Sequence, residues 1–225
     1  MKILGVETSS PIFSLCLYDG DNLLYEFRKQ REFEDHRDAL IFEEAKRLID
    51  DMGRGKIDTI AISIGPGMFT SLRVGLSLAK GIAVVHGTPV VAVNTLDVIG
   101  VKPSCLISPV VAVINAYREE VYAAFYNKGE RRGDYLLITP AKLLRMMDAG
   151  TFVICPRCDV LDDSGFDTNN LNIMKDDCYL PSASKVVSLA LPRIRAGDFD
   201  DMEFLEPYYI KKTDAERKYD KGNAV

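Results

Sequence analysis

The sequence predicts an α/β protein built of two similar lobes, each with a mixed β-sheet flanked by helices. Within the first hundred residues, three consecutive strands are followed by a helix, a strand, a helix and a strand. Two parallel crossovers added to an antiparallel meander give a mixed sheet that helices cover. The same order of elements starts again near residue 109, which predicts a second lobe of the same kind.

The first three strands are predicted over residues 2–7, 12–18 and 23–28, where short runs are rich in apolar and β-branched residues. Turn-forming residues separate them, with hydroxyl residues and a proline at 8–11 and an Asp-Gly-Asp-Asn hairpin at 19–22. These strands form an antiparallel meander.

A helix is predicted over residues 35–52, with Asp35 as its N-cap and Asp38 three positions later as an imperfect capping box. Its core-facing stripe consists of apolar residues at helical spacing, namely Ile41, Ala45, Leu48, Ile49 and Met52. Leu40 and Phe42 lie outside this stripe. The excess apolar surface indicates either a second protein partner for the helix or a helix buried on two sides within its own domain.

The stretch from residue 58 to residue 86 is the most informative part of the chain. A β-branched strand at 58–64 ends at Gly65-Pro66-Gly67, and a helix over 71–86 follows, with Thr70 as its predicted N-cap. A stripe of small residues recurs every four positions along this helix: Ser71, Gly75, Ala79 and Ala83. Because a glycine inside a helix costs about 1 kcal/mol relative to alanine, we expect the stripe to pack tightly against another helix.

After a strand at 89–93, the second lobe is predicted to contain strands at 109–115, 119–126, 134–138 and 151–155. Helices are predicted at 140–147 and 183–196, the latter kinked or ended early by Pro192. The duplicated ribonuclease-H-like module is the architecture of actin-like ATPases (the ASKHA fold). The predicted domains are therefore an N-terminal lobe (1–100), a C-terminal lobe (101–210) and a disordered, lysine-rich tail (211–225).

Composition and charge exclude several classes of function. The net charge of −5 argues against a protein that holds nucleic acid by itself. No apolar run reaches the roughly 20 residues that span a bilayer, and no signal peptide opens the sequence. Five cysteines, an odd number, fit a reducing cytosol. We therefore expect a cytoplasmic protein that does not bind membranes.

The Gly65-Pro66-Gly67 turn before a helix could cradle a phosphate, because free N–H groups and the helix dipole favour an anion there. Thr8 and Ser9 lie where actin-like proteins turn their first hairpin around phosphates. Thr8, Ser9, Gly65 and Gly67 are therefore a possible vestigial phosphate site, and a purely structural turn is the competing interpretation. The second hairpin has no glycine, so an autonomous ATP site and a bound cofactor are not expected.

No catalytic or metal site can be nominated from spacing. Cys155 and Cys158 form half of a zinc motif, but no second pair exists to complete four ligands. We interpret them as a coincidental or surface thiol pair, with a weak redox role as the alternative. His36 and His86 are the only histidines, and they are fifty residues apart.

Residues 1–127 resemble the TsaB (YeaZ) family, the bacterial partner of the tRNA threonylcarbamoyladenosine transferase TsaD. The Gly-Pro-Gly block with its following helix is the most specific matching piece. The other pieces are residues 3–9, His36, residues 79–81, 89–96 and 120–124, and Pro207-Tyr208-Tyr209-Ile210 as a closing motif. Residues 128–206 match poorly, and Asn115 stands where the family usually has aspartate.

The resemblance implies a non-catalytic subunit of the complex that forms N6-threonylcarbamoyladenosine at position 37 of tRNA. It implies pairing with TsaD through two helices of the first lobe, TsaE in a larger complex, a homodimer when alone, and contact with tRNA only through the complex. We assign partner binding to six residues of those helices: Leu40, Phe42, Ser71, Gly75, Ala79 and Ala83.

Enzymatic alternatives are a TsaD-like metal-dependent transferase, a peptidase of the M22 type and, more weakly, a nuclease of the ribonuclease-H class. The resemblance speaks against the transferase, because TsaD has two metal-binding histidines where this chain has Thr95 and Ile99. A ribonuclease-H nuclease needs several converging carboxylates, and Asn115 is a poor substitute for one.

Overall fold

Two five-stranded mixed sheets form the centres of two lobes, which confirms the predicted actin-like α/β architecture. The structure is a computed structural model that describes residues 1–30, 38–51, 56–156 and 171–211. Asp35, His36, Met52, Cys158 and the predicted tail beyond Lys211 lie outside the described residues.

The first sheet has the strand order β3-β2-β1-β4-β5. Strands β1, β2 and β3 pair antiparallel, and β1, β4 and β5 pair parallel. Parallel pairing brings the carboxyl ends of β1, β4 and β5 to one edge of the sheet. The strands are β1 (Lys2–Glu7), β2 (Ile12–Asp19), β3 (Asn22–Gln30), β4 (Thr59–Ser63) and β5 (Val90–Val93).

The second sheet repeats this topology, with the strand order β10-β9-β6-β7-β8. Strands β6, β7 and β8 form the meander, and β9 and β10 add in parallel. The repeat that the order of elements predicted is therefore present. The strands are β6 (Val110–Asn115), β7 (Val121–Asn127), β8 (Glu130–Ile138), β9 (Phe152–Ile154) and β10 (Asn172–Met174).

Five α-helices of the described chain cover the two sheets. Helices α1 and α2 pack on one face of the first sheet, where their apolar residues share a core with β1, β2 and β4. No helix in the described ranges is long and apolar enough to cross a membrane. The helices are α1 (Asp38–Asp51), α2 (Phe69–His86), α3 (Thr95–Ser104), α4 (Pro140–Met146) and α5 (Ala183–Ala196).

The two halves of the chain exchange helices. Helix α3 packs on the second sheet, with Leu96 and Ile99 in a core shared with β6 and β7. Helix α5 packs on the first sheet, where Gly5 of β1 leaves room for Val187 and the carbonyl of Ala183. The predicted boundary between residues 100 and 101 falls inside α3, and the helix at 183–196 packs on the first sheet; the division into domains stays a prediction.

Several element boundaries differ from the predictions for local reasons. Helix α2 begins at Phe69 after Met68, without a side-chain cap, so Thr70 is not the N-cap. Helix α5 continues through Pro192 to Gly197. Helix α3 was not predicted; the side chain of Asn94 caps it by accepting a hydrogen bond from the N–H of Leu96 at 2.9 Å.

The small-residue stripe of α2 faces the first sheet, not another helix. Ser71, Ala79 and Ala83 are buried, and Gly75 lies against the side chain of Thr8 at the end of β1. A Cβ at Gly75 would lie 2.2 Å from Thr8 Oγ1. The stripe therefore lets α2 approach the strand end closely, and this corrects the expectation that it would reach a second helix.

We expect Gly75→Ala to lower the free energy of unfolding by about 1–3 kcal/mol, because its methyl group has no room beside Thr8. Gly81→Ala on the same helix is the matched control. No atom lies within 4 Å of its added Cβ, so the gain in helix propensity should raise stability by about 0.5–1 kcal/mol. Urea unfolding measures both, and equal effects of the two substitutions would contradict this packing.

Candidate functional site

The carboxyl ends of β1, β4 and β5 meet at the edge of the first sheet that faces the second lobe. In open α/β sheets, ligands bind at such an edge. Glu7 ends β1 and Ser63 ends β4, and the parallel register places these two residues on neighbouring strands. Thr95 follows β5 as the first residue of α3. This edge is the candidate site.

Glu7 is a fully buried carboxyl at the centre of this edge. Its Oε1 accepts two hydrogen bonds from Ser9, one from the backbone N at 2.6 Å and one from Oγ at 2.5 Å. Burial raises the pKa of Glu7, and the hydrogen bonds from Ser9 offset part of that rise. Because burial disfavours the charged form, folding shifts Glu7 toward its neutral form relative to the unfolded chain.

Unpaired buried polar atoms concentrate at this edge. Within the described ranges, four buried side-chain oxygens have no hydrogen-bond partner: Glu7 Oε2, Thr8 Oγ1, Ser63 Oγ and Thr95 Oγ1. An unpaired buried polar group costs about 1–3 kcal/mol, so such groups mark sites kept for a reason other than stability. The edge therefore has the polar lining of a functional site without an opening to solvent.

The Gly-Pro-Gly loop closes the edge. The N–H of Met68, just before α2, donates to the carbonyl oxygen of Ser9 at 2.9 Å. A Cβ at Gly67 would lie 2.3 Å from that same oxygen, so only glycine fits the contact. The carbonyl of Gly65 accepts from the N–H of Thr95 at 2.8 Å. The Ser9 carbonyl thus engages the Met68 N–H, one of the backbone donors that a phosphate would use.

This geometry favours the structural interpretation of the predicted phosphate site. The structure brings Ser9 and Gly67 into contact, and it places Thr8 under α2 and Gly65 against Leu72 and Tyr208. Thr8 and Ser9 are buried, and the Ser9 hydroxyl is bonded to Glu7. Phosphate binding by these four residues stays a prediction.

The second lobe contributes a tyrosine–aspartate cluster that the sequence did not indicate. Asp97 of α3 accepts hydrogen bonds from the hydroxyls of Tyr126 at 2.8 Å and Tyr135 at 2.6 Å. Burial, together with the charge of Asp97, raises the pKa of Tyr126 and of Tyr135. Residues on three separate elements meet here, so no local spacing could have revealed the cluster.

The hairpin between β6 and β7 has an unusual backbone. Tyr117, Arg118 and Glu119 all have φ between 58° and 61°, the left-handed region that side chains disfavour. The side chain of Asn115 accepts from the N–H of Tyr117 at 2.7 Å. Lys211 Nζ donates to the carbonyls of Ala116 and Tyr117. Asn115 therefore caps this turn, which is a structural role for it.

The six predicted partner-binding residues divide into two groups. Ser71, Gly75, Ala79 and Ala83 are inside the first lobe, whereas Leu40 is half-buried and Phe42 is 42% exposed. The most exposed apolar residues of α2 are instead Val84 (72%) and Val85 (77%), near its C-terminus. They fall outside the stripe of small residues. The sequence could have indicated their exposure, because a helix that packs through this stripe turns Val84 and Val85 away from the sheet.

The cysteine pair and the histidines give no metal site in the described chain. Cys155 is buried and disulfide-bonded, which corrects its interpretation as a surface thiol. Thr95 and Ile99 are also buried. No group of three or more His, Cys, Asp or Glu side chains that could hold a metal ion occurs among the described residues.

Comparison with known proteins identifies the family. Residues 34–219 match the model of the family described as "TsaD: tRNA N6-adenosine threonylcarbamoyltransferase". The chain belongs to that family. Within the TsaD family, it is 24% identical to the TsaB protein of Escherichia coli, named a tRNA threonylcarbamoyladenosine biosynthesis protein, over 97% of this chain and 98% of that one.

Other matches agree with the TsaB (YeaZ) resemblance, which is confirmed. A crystal structure from Pseudomonas aeruginosa, described as similar to peptidase YEAZ, has a TM-score of 0.76 at 24% identity and covers 93% of this chain and 99% of that chain. An uncharacterized protein of Mycobacterium leprae is 40% identical over 34% of this chain, but the match spans only 20% of that protein. Four matched transferases of the TsaD family are spanned over 13–33% of their length.

We expect the free energy of unfolding of the Glu7→Gln variant to rise progressively relative to that of the wild type as the pH increases above about 4.5. The native state holds the proton on Glu7 while the unfolded state releases it, so wild-type stability falls with pH until the folded group ionises. One proton accounts for at most about 1.4 kcal/mol per pH unit. Urea unfolding between pH 5 and pH 8 measures the difference.

Glu43→Gln on the exposed side of α1 controls for the loss of one carboxylate. A difference between Glu7→Gln and wild type that stays constant over this pH range would contradict the neutral state of Glu7.

Proposed function

We propose that this chain is a non-catalytic, cytoplasmic subunit required for the formation of tRNA N6-threonylcarbamoyladenosine, which binds and activates the transferase TsaD. The observation that carries the proposal is the closure of the strand-end edge by the chain's own backbone, at the contact between Ser9 and Met68. The chain has the fold of nucleotide-binding enzymes, and its own backbone fills the place where the ligand would lie.

The burial of the polar groups at this edge supports a non-catalytic role for the chain. A general acid or base must reach a substrate proton within hydrogen-bond distance, and Glu7 is buried with one oxygen bonded to Ser9. Thr8 and Ser63 are buried as well. None of these groups can contact a substrate unless the Gly-Pro-Gly loop moves away from Ser9.

The outer faces of α1 and α2 support the binding of a partner. Phe42, Val84 and Val85 expose large apolar side chains on two helices that cover the same face of the first sheet. Exposed apolar groups on neighbouring helices are typical of protein–protein interfaces. The partner surface of the proposal therefore consists of Phe42, Val84 and Val85, with Leu40 at its inner margin, and Ser71, Gly75, Ala79 and Ala83 support it from within.

This one partner surface explains the other proposed assemblies. In the absence of TsaD, a second copy of the chain covers the surface as a homodimer, and TsaE joins the larger complex through TsaD. Contact with tRNA is made through the complex, since the chain carries a net charge of −5.

The second candidate is an enzyme that transfers the threonylcarbamoyl group itself. The match to a transferase family model favours it. Against it stand the buried Thr95 and Ile99 on α3, whose side chains offer no strong metal ligand. The proposal therefore keeps the catalytic role with TsaD.

We expect the double substitution of Val84 and Val85 by lysine to weaken the binding of TsaD more than tenfold. Two charges buried in an apolar interface cost about 2 kcal/mol or more, whereas lysine near a helix C-terminus leaves the monomer stable. Co-purification with TsaD measures binding, and the level of modified tRNA in a strain lacking this protein measures function.

Leu24→Lys is the control, since Leu24 is an exposed apolar residue on β3, the far edge strand of the same sheet. If the double variant co-purified with TsaD as well as the wild type and the Leu24 variant do, the partner surface would be misplaced.

The purified chain alone should leave tRNA unmodified when given the activated threonylcarbamoyl donor, and adding TsaD should restore the reaction. Mass spectrometry of digested tRNA measures the product. Modification by the isolated chain, lost in a Glu7→Gln variant, would establish the enzymatic candidate instead.

A further inference from the structure

A cavity of about 270 Å³ lies between α3 and α5. Its walls are mostly apolar. Helix α3 contributes one side, helix α5 contributes Leu189, and β10 contributes Met174. The apolar side chains of α3 that line it include Val98, Ile99, Pro103 and Leu106. Small-molecule sites are typically apolar concavities with a few polar groups at fixed positions.

Two lysines line this cavity. Lys185 Nζ donates to the carbonyl of Leu180 at 2.6 Å and to the carbonyl of Cys178, so two of its three protons are fixed and one is left for a ligand. Lys102, in the last turn of α3, is exposed. Burial and the nearby positive charges of Arg28 and Lys102 lower the pKa of Lys185, and the nearby charge of Glu26 opposes this shift.

The carboxylates around the cavity already have hydrogen-bond partners, and Asp97 also pairs with Arg131 at 3.8 Å. Asp97 accepts from the hydroxyls of Tyr126 and Tyr135, and Asp176 accepts from the N–H of Cys178 at 2.6 Å. Glu26 accepts from the N–H of Ser184 at 2.9 Å. The proton left on Lys185 and the exposed Lys102 lie beside an apolar space, an arrangement that suits an anion with an apolar body.

We propose that this cavity binds a small amphiphilic carboxylate, whose alkyl body lies between α3 and α5 and whose carboxylate pairs with Lys102 and Lys185. At the roughly 30 Å³ that a water molecule occupies in the liquid, the cavity holds a ligand of about nine non-hydrogen atoms. A straight-chain carboxylate of seven or eight carbons fills it.

The ligand would contact both lobes at once. Helix α3 covers the second sheet and helix α5 covers the first, so a molecule between them touches an element of each. This inference is independent of the proposed pairing with TsaD, because the cavity includes no residue of the partner surface.

A series of straight-chain carboxylates from butanoate to dodecanoate, titrated into the full chain below micelle-forming concentrations, tests the proposal. Each buried methylene should tighten binding about fourfold until about eight carbons, beyond which the affinity should stop rising because the cavity is full. With ¹³C-labelled methionine methyl groups, the Met174 signal should shift, whereas that of Met146 on exposed α4 should stay constant.

Two charge comparisons complete the test. Octan-1-ol should bind at least fivefold more weakly than octanoate. The Lys102→Glu substitution should weaken the binding of octanoate by a similar factor. Lys142→Glu on α4, an exposed lysine outside the cavity, is the matched control and should have no effect. The proposal is overturned if affinity rises steadily through dodecanoate, if octanol and octanoate bind equally, or if Met174 does not respond.

Discussion

The contact between the carbonyl of Ser9 and the start of α2 is the constraint on which the first lobe depends. It ties the turn after β1 to the Gly-Pro-Gly loop after β4, with the Met68 N–H donating at 2.9 Å. Gly67 is required because no Cβ fits beside the Ser9 carbonyl. Gly75, within α2, is required because the side chain of Thr8 fills the space that its Cβ would need. Two glycines thus allow one helix to lie directly on a strand end.

The same constraint buries the polar groups at the strand ends. Pressing α2 onto the strand end buries Glu7, Thr8 and Ser63, and it leaves four oxygens without partners at a cost in stability. A ligand contact could offset such a cost only if the Gly-Pro-Gly loop moved away from Ser9.

The parts of the fold that local pattern dictates were predictable. Strand β1 and helix α5 have the predicted bounds, because a β-branched run ends at hydroxyl residues and a helix ends at Gly197. Helix α3 was missed because Gly100 and Pro103 lie inside a ten-residue segment and mask its periodicity. The spacing of the α2 stripe predicted a close approach correctly, but spacing carries no information about what approaches, and the neighbour is Thr8.

The sequence indicated which residues lie near the candidate site better than it indicated whether that site is open to a ligand. Ser9 and Gly67 are in contact at this edge, whereas Thr8 lies against Gly75 and Gly65 against Leu72. Whether the edge is open depends on distances of a few tenths of an ångström between backbones, which residue types do not encode. The exposure of Val84 and Val85 was not predicted for a related reason, since it follows only from the orientation of the stripe.

The exchange of α3 and α5 between the lobes makes each half of the chain incomplete without the other. Residues 1–94 alone would leave one face of the first sheet bare, since the helix that covers it lies at 183–196. The second sheet would likewise lose α3 if the chain were cut before it. Because each core is finished by the other half, the lobes should unfold in one cooperative step, as single domains do.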